Sequence, residues 1–347
     1  MNWLVDADVT EPVIVSQVVV SASTGDTQFD ISIRGQRYRV HKWVRPNNVF
    51  NLPDYVVGTI AFSTGGEIEV FCVGGGGRGG LVPTTGSLGS FGSYASGGGG
   101  GGGAVVQSKI TVSPGNFAIA VGWGGSSSLT NGAYQSSIFG MFNDLGNQVT
   151  IKVRASGGGN GGNVDITSSP PVTDANDFIS GFDYASGGGG GALNSNTLGD
   201  YASNGGNSIL GQGNIGADGV LVSAIVSGNP LSGGGGGAGD PGQIATNALP
   251  NGGNGVVSSI TGTPVFYGGG GAGGCRQISP LLIDVEPALG GLGGGGSNIT
   301  GSENGAHGFG GGGAGGIVGQ TSFGLTKPFE PGDGGTGVVI IRYPIGV

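Results

Sequence analysis

Seven consecutive glycines, residues 97–103, limit what this chain can fold into more than any other stretch. Glycine loses more backbone freedom on ordering than any other residue and has no side chain to bury, so the run makes neither a good helix nor a good strand. It does fit the polyproline-II conformation. That form has three residues per turn, a rise of about 3.1 Å and no internal hydrogen bonds, so every N–H and C=O points outward and needs a partner. Seven residues then span roughly 22 Å. Further glycine clusters begin near Gly74, Gly157, Gly187, Gly233, Gly268, Gly293 and Gly310. Segments laid side by side satisfy one another's polar groups, and only glycine lets main chains approach that closely. The sequence therefore predicts a bundle of packed polyglycine-II segments.

Glycine-rich tracts also serve as flexible linkers. Here the clusters alternate with apolar strand-like runs, the last being Val338-Val339-Ile340-Ile341, and aromatic residues sit directly against them. A linker gains nothing from either arrangement. The composition agrees: 86 of 347 residues are Gly, only 10% are charged and mean hydropathy is +0.12, whereas disordered chains are charged and poor in apolar residues.

A net charge of -9 argues against a nucleic-acid partner. The Arg-Gly-Gly at Arg78 occurs once, whereas RNA-binding segments repeat it. The first residues lack a basic stretch followed by an apolar one, and no run of about 20 apolar residues exists. The expectation is no secretory signal, no membrane insertion and assembly in a cytosol. Cys72 and Cys275 are too few for a disulfide framework, so both are expected as buried free thiols.

Residues 1–64 are poor in glycine and read as a small β unit. Phe29, Ile31 and Ile33 alternate with polar residues, as do Tyr38, Val40 and Lys42 beyond Gly35, which predicts a hairpin with one half-buried face. About 60 residues are marginal alone, so this unit is expected to dock on its own glycine domain, another copy or a different protein. A second hairpin is expected from Tyr55 through Phe62 to Val73, turning at Thr64-Gly65-Gly66. Runs at 109–112 and 117–121 flank Pro114-Gly115, which suits a type II turn. A further pair is expected around residues 143–146. No segment reads as a helix. The phrase Tyr-Ala-Ser recurs at Tyr94, Tyr184 and Tyr201, and four glycines followed by Ala-Gly-Gly recur at 268–274 and 310–316, with the Ala expected to face out of the bundle. The fold class expected is mainly β with polyglycine-II: an N-terminal β unit (1–64) and a glycine-rich domain (65–347) with essentially no α-helix.

Ile68-Glu69-Val70-Phe71-Cys72-Val73-Gly74-Gly75-Gly76-Gly77 opens that domain, Val112-Ser113-Pro114-Gly115, Val121-Gly122-Trp123-Gly124-Gly125 and Ser136-Ser137-Ile138-Phe139-Gly140 follow, and 334–343 closes it. In this order the phrases resemble the glycine-rich domain of bacteriophage tail-fibre proteins, including the distal-tip adhesins of T-even-like long tail fibres. The resemblance implies a polyglycine-II sandwich with variable loops that contact the bacterial surface, a virion location and assembly in host cytoplasm. It also implies other tail or fibre proteins as partners, reached through residues 1–64, and a host surface protein or glycan as receptor. The N-terminal portion departs from the adhesin pattern.

Catalytic material is scarce. Residues 211–216 satisfy the dinucleotide fingerprint literally but lack the strand and helix it needs. His41 and His307 are the two histidines; His41, on an alternating strand, is expected at the surface, and His307 in a loop. Asp284 and Glu286 would lie about 6.6 Å apart on a strand, without an aromatic groove around them. Asp165, Asp174, Asp177 and Asp183 match no calcium loop and read as a solvated acidic loop. No enzyme activity, cofactor or metal is expected. The receptor-contact candidates are Phe91, Tyr94, Phe178, Phe182, Tyr184, Tyr201, Phe266 and Tyr267, because aromatic residues give large contact area at low entropic cost. The competing role, strongest for the three Tyr-Ala-Ser tyrosines, is to cap the edge of the bundle. The loops expected to present the surface are 81–96, 163–186, 192–210, 240–266, 275–289 and 317–333.

Overall fold

Strands and glycine segments share one axis, with the strands at one end running directly into the segments. The computed structural model describes residues 18–25, 27–45, 58–83, 93–126, 136–142, 149–167, 171–172, 175, 184–195, 198–221, 231–244, 249–274, 287–321, 324–325 and 329–346. No α-helix occurs among them. Five strands precede the first glycine segment: β1 (Val20–Ser23), β2 (Thr27–Ile33), β3 (Gln36–Val44), β4 (Gly58–Phe62) and β5 (Gly66–Val73). Next, β6 (Tyr94–Ser96) leads into the seven-glycine run, which continues into β7 (Val105–Val112), β8 (Gly115–Ala120), β9 (Ser137–Phe142) and β10 (Val149–Ala155). Short pieces follow: β11 (Ala192–Asn194), β12 (Tyr201–Ala202), β13 (Val256–Ser258), β14 (Val265–Tyr267), β15 (Ile317–Thr321) and β16 (Gly324–Leu325). The last strand is β17 (Val338–Pro344).

Two five-stranded antiparallel sheets, β1-β4-β8-β9-β10 and β2-β3-β17-β5-β7, pack face to face as a sandwich. Alternation along the strands supplies the core: Trp43, Ile68, Val70, Cys72, Val339 and Ile341 from one sheet meet Ile60, Phe117, Ile119 and Phe139 from the other. The outer face of the second sheet is covered by the β13–β14 hairpin, where Ile260 and Tyr267 pack with Val40, Phe71 and Ile340. The Glu69–Arg342 ion pair, with Arg342 also donating to the carbonyls of Ser259 and Ile260, holds that hairpin down.

Several expectations are corrected here. Residues 65–73 do not close a hairpin with β4, because β4 pairs with β1 and β8 while β5 pairs with β17 and β7. The link crosses between layers, which lets both strands bury one face in the same core. The Pro114-Gly115 link likewise crosses from the second sheet to the first, and Gly115, at φ 152, is already the first residue of β8. The N-terminal unit is not separate among the described residues. Its β3 pairs with the closing strand β17 along seven positions, Val338 with Val44 through Pro344 with Tyr38, so it docks on its own glycine domain. The β2–β3 and β9–β10 hairpins form as read.

His41 is 2% exposed rather than at the surface. It stacks between Trp43 and Tyr343, and its two ring nitrogens lie 3.1 Å from Ser23 Oγ and 3.0 Å from Tyr343 Oη. Burial, with the Arg39 charge assisting, lowers its pKa from 6.5 to about 4. A base whose folded pKa is depressed binds protons better when unfolded. The expected result is full stability above about pH 6.5 and a loss on the order of 3 kcal/mol as pH falls to 4, levelling off below. Denaturant titrations from pH 7 to 4 test this; His41→Gln should flatten that part of the profile.

Beyond the sandwich, residues 97–103 form the axis of the bundle. Gly97, Gly100 and Gly103 donate to Gly316, Gly313 and Gly310; Gly98 and Gly101 to Gly162 and Gly159; Gly99 and Gly102 to Gly233 and Gly236, all at 2.8–3.0 Å. Return bonds arrive from Gly77 and Gly80, from Gly189, and from Gly271 and Gly274. Each neighbour is met at every third residue, which is the period of a polyglycine-II helix. Segments 74–80, 157–162, 187–191, 233–237, 268–274 and 310–316 thus surround the axis, and outer segments extend the same packing. At the rim, side chains replace missing neighbours: Asn160 and Asn163 accept from the N–H groups of Arg78 and Leu81, and Asn251 and Asn254 from those of Leu289 and Leu292. Ala272 and Ala314 do not face outward; both are 0% exposed, beside Ala288, Leu249 and Phe329.

Candidate functional site

The direction of each segment decides which connections share an end. Residues 74–80 leave β5 and run away from the sandwich, and 97–103 run back to β7. By the same bonds 157–162, 187–191, 214–219, 268–274 and 310–316 point away from the sandwich, while 203–206, 233–237, 250–255, 303–306 and 332–336 return. The chain therefore leaves and re-enters the bundle at its far end at residues 81–96, 192–202, 220–231, 244–249, 275–287, 298–302 and 317–331. This end is the loop pole.

A third sheet, β12-β11-β6-β15-β16, covers part of it. Ala95, Leu193 and Val318 pair across three of its strands and pack on Val164 and Val172, with Val82 and Ile166 at the margin. Two of the Tyr-Ala-Ser phrases lie here, with Ser96 and Ser203 buried where returning segments begin; Ser203 Oγ accepts from the Gly191 N–H.

The candidate aromatics separate. Tyr94, half-buried, and Tyr201, exposed, lie at the loop pole on β6 and β12. Tyr267 is withdrawn as a contact residue: it is 3% exposed, edge-on to Phe71 and stacked on Phe309, and burial raises its hydroxyl pKa. Tyr184 is likewise buried, its pKa raised by desolvation, at the sandwich end of segment 187–191. Neither has the exposure a receptor contact needs. Phe266 is exposed but sits on β14 opposite Val257, on the sandwich side. Phe91, Phe178 and Phe182 lie outside the described residues, as do Cys275, Asp284, Glu286, Asp174, Asp177 and Asp183. Of the expected loops, 256–266 and 204–210 belong to the sandwich side and not to the loop pole, and 163–186 leaves at the loop pole and re-enters at the sandwich end.

Sequence reasoning missed the aliphatic residues there. Leu81, Leu198, Leu221, Ile244, Leu289 and Ile299 are each 37–48% exposed. The available signal was position, because Leu81, Leu221, Ile244 and Ile299 fall just where a segment ends. The described charged side chains around them are acidic: Asp165, Asp200 and Glu330. Asp165 is partly engaged, accepting from the N–H and hydroxyl of Thr167. Arg78 is sunk in the bundle wall, where burial lowers its pKa against the opposing effect of Asp333.

The remaining motifs are dispersed through the described fold. Residues 210–212 form a turn and 214–219 a glycine segment, so the 211–216 fingerprint has neither strand before it nor helix after it. His307 lies in the turn before segment 310–316, and its Nδ1 accepts from Thr336 N–H at 3.4 Å. Cys72 is a free thiol in the core, its pKa raised by burial. Among the described residues no three His, Cys, Asp or Glu side chains gather as a metal site, and no helix is long and apolar enough to cross a membrane.

No curated protein and no solved structure matches the chain. A family model described as a glycine-rich domain matches residues 55–344, from just before β4 to the end of β17, and leaves β1, β2 and β3 outside. With the matched span covering most of the chain and the whole bundle, this protein belongs to the glycine-rich domain family.

Proposed function

We propose that the protein is a phage virion component, a tail-fibre or tail-tip adhesin without enzymatic activity that presents its loop pole to the host cell surface. The observation that carries this reading is that most of the glycine-poor connections leave and re-enter at one end of a bundle whose main chains hold each other on all sides. Such a scaffold does not deform when loop sequence changes, which suits a surface that must follow a varying receptor. Exposed aliphatic side chains beside Tyr201 add the apolar area that recognition surfaces use. A virion location fits assembly in a host cytoplasm.

The alternative is a structural decoration of head or tail that uses the same scaffold without a receptor. Purified protein applied to a panel of bacterial envelopes separates the two. Binding to one envelope type is expected, weakened at least about tenfold by Leu198→Asp or Tyr201→Ala and unchanged by Leu210→Asp, which is 99% exposed on the sandwich side. Failure to bind any envelope, or equal loss from all three variants, favours the decoration.

A further inference from the structure

The sandwich ends in a second pole, opposite the loops. From Val44, beside the bundle, β3 runs about 27 Å to the tight turn at Arg34-Gly35. The chain enters the described fold at Val18, next to Thr64 of this pole, and leaves it at Ile345, bonded to Arg37. Both limits of the described fold therefore lie here, on the side away from the proposed receptor surface. The hairpin responsible, β2–β3, is also part of what the family match leaves out.

Charge divides along the same axis. Residues 157–337 hold two basic and twelve acidic side chains, and the rest of the chain ten basic and nine acidic, which gives -10 and +1 of the total -9. At the tip of the hairpin Arg34 is exposed, at φ 51, and Arg37 and Arg39 share one carboxylate, Asp30, at 3.1 and 2.9 Å. Among the described residues these three arginines against one carboxylate leave the hairpin tip positive on a negative molecule.

We propose that this pole is the attachment face and that its occupant is an acidic protein surface of the particle. The proposal rests on the virion reading and gives the mounting its chemistry. Opposite fields at the two ends orient the molecule as it approaches: an acidic mount attracts the hairpin tip and repels the bundle, so the loops are left pointing outward. The left-handed backbone at Arg34 supports this choice of residue. Asparagine or glycine suits that conformation better, so an arginine there accepts local strain to place a cation at the tip.

The test uses the full chain with labelled poly-L-glutamate, at about 50 mM salt, followed by anisotropy. Binding is expected to weaken with added salt. It should fall about tenfold in the double variant Arg34→Asn, Arg37→Gln and persist in Arg34→Lys, Arg37→Lys. Asp200→Asn with Asp218→Asn at the bundle should leave it intact. Arg34→Asn relieves rather than adds backbone strain, and a melting curve confirms folding. Equal binding by the double variant overturns the proposal, as does tighter binding to duplex DNA than to poly-L-glutamate. Sedimentation that shows head-to-tail self-association abolished by the double variant also overturns it, in favour of a second copy as occupant. Envelope binding through the loops is read separately, so loss of one leaves the other standing.

Discussion

Gly100→Ala is expected to unfold the protein at ordinary temperature, although it adds one methyl group. The new Cβ would sit 2.2 Å from the Gly77 carbonyl oxygen and 2.7 Å from that of Arg78, both main-chain atoms of a neighbouring segment. A side chain can rotate out of the way, but a main chain here can only shift as a unit. That shift breaks the bond from Gly77 to Gly101 and weakens those from Gly100 to Gly313 and from Gly271 to Gly100. Each buried group left without its partner costs about 1–3 kcal/mol, and overpacking adds about as much. The sum, about 5 kcal/mol, reaches the whole stability of an ordinary domain. The comparison variant is Gly211→Ala, at φ +81 with nothing within 4 Å of the added carbon, where only the left-handed backbone opposes the change at roughly 1–2 kcal/mol. Thermal melts of the two variants check the argument; equal melting temperatures would falsify the packed bundle.

Removing residues 338–347 is expected to abolish folding outright. Strand β17 is the central strand of its sheet, bonded to β3 on one side and β5 on the other. Val338, Val339, Ile340 and Ile341 are all 0% exposed, divided between the cores on the two faces of that sheet. At about 1.5–3 kcal/mol for each buried side chain, the apolar loss alone is roughly 6–12 kcal/mol as an upper estimate. Two strand edges would also be opened to aggregation. Circular dichroism and limited proteolysis of the truncated chain read the outcome. A protease-resistant monomer would mean that the sheet closes without its last strand.

Strand β17 lies between strands near residues 40 and 70, so the second sheet is closed by pieces far apart in sequence. The glycine segments depend on that sheet for alignment, since 74–80 issue from β5 and 97–103 lead into β7. Side chains at the sandwich end fix the register that the glycines, alike at every position, cannot fix for themselves.

Much of the fold was legible in the residues for a local reason. Seven glycines in a row exclude helix and strand, and alternation at Phe29-Ile31-Ile33 or in 149–153 marks a strand with one buried face. The three-residue hydrogen-bond period, the all-β character and the β2–β3 and β9–β10 hairpins follow from such rules. Which strands become neighbours does not. Short links at 63–65 and 113–114 look like hairpin turns, yet both cross between sheets, because burial of Phe62, Phe117 and Ile68 in one core outweighs local pairing. Burial of His41 and Tyr267 escaped prediction for the same reason: the aromatic partners that enclose them are remote in sequence, Tyr343 for one and Phe71 for the other.

From the sequence alone, then, comes the kind of interior this protein has, since bare main chain can be satisfied only by more bare main chain. The tertiary structure alone decided direction: which segments run outward and which return, and hence which connections share an end. Direction depends on how many times the chain reverses between segments, and a glycine segment reads the same to its neighbours whichever way it runs.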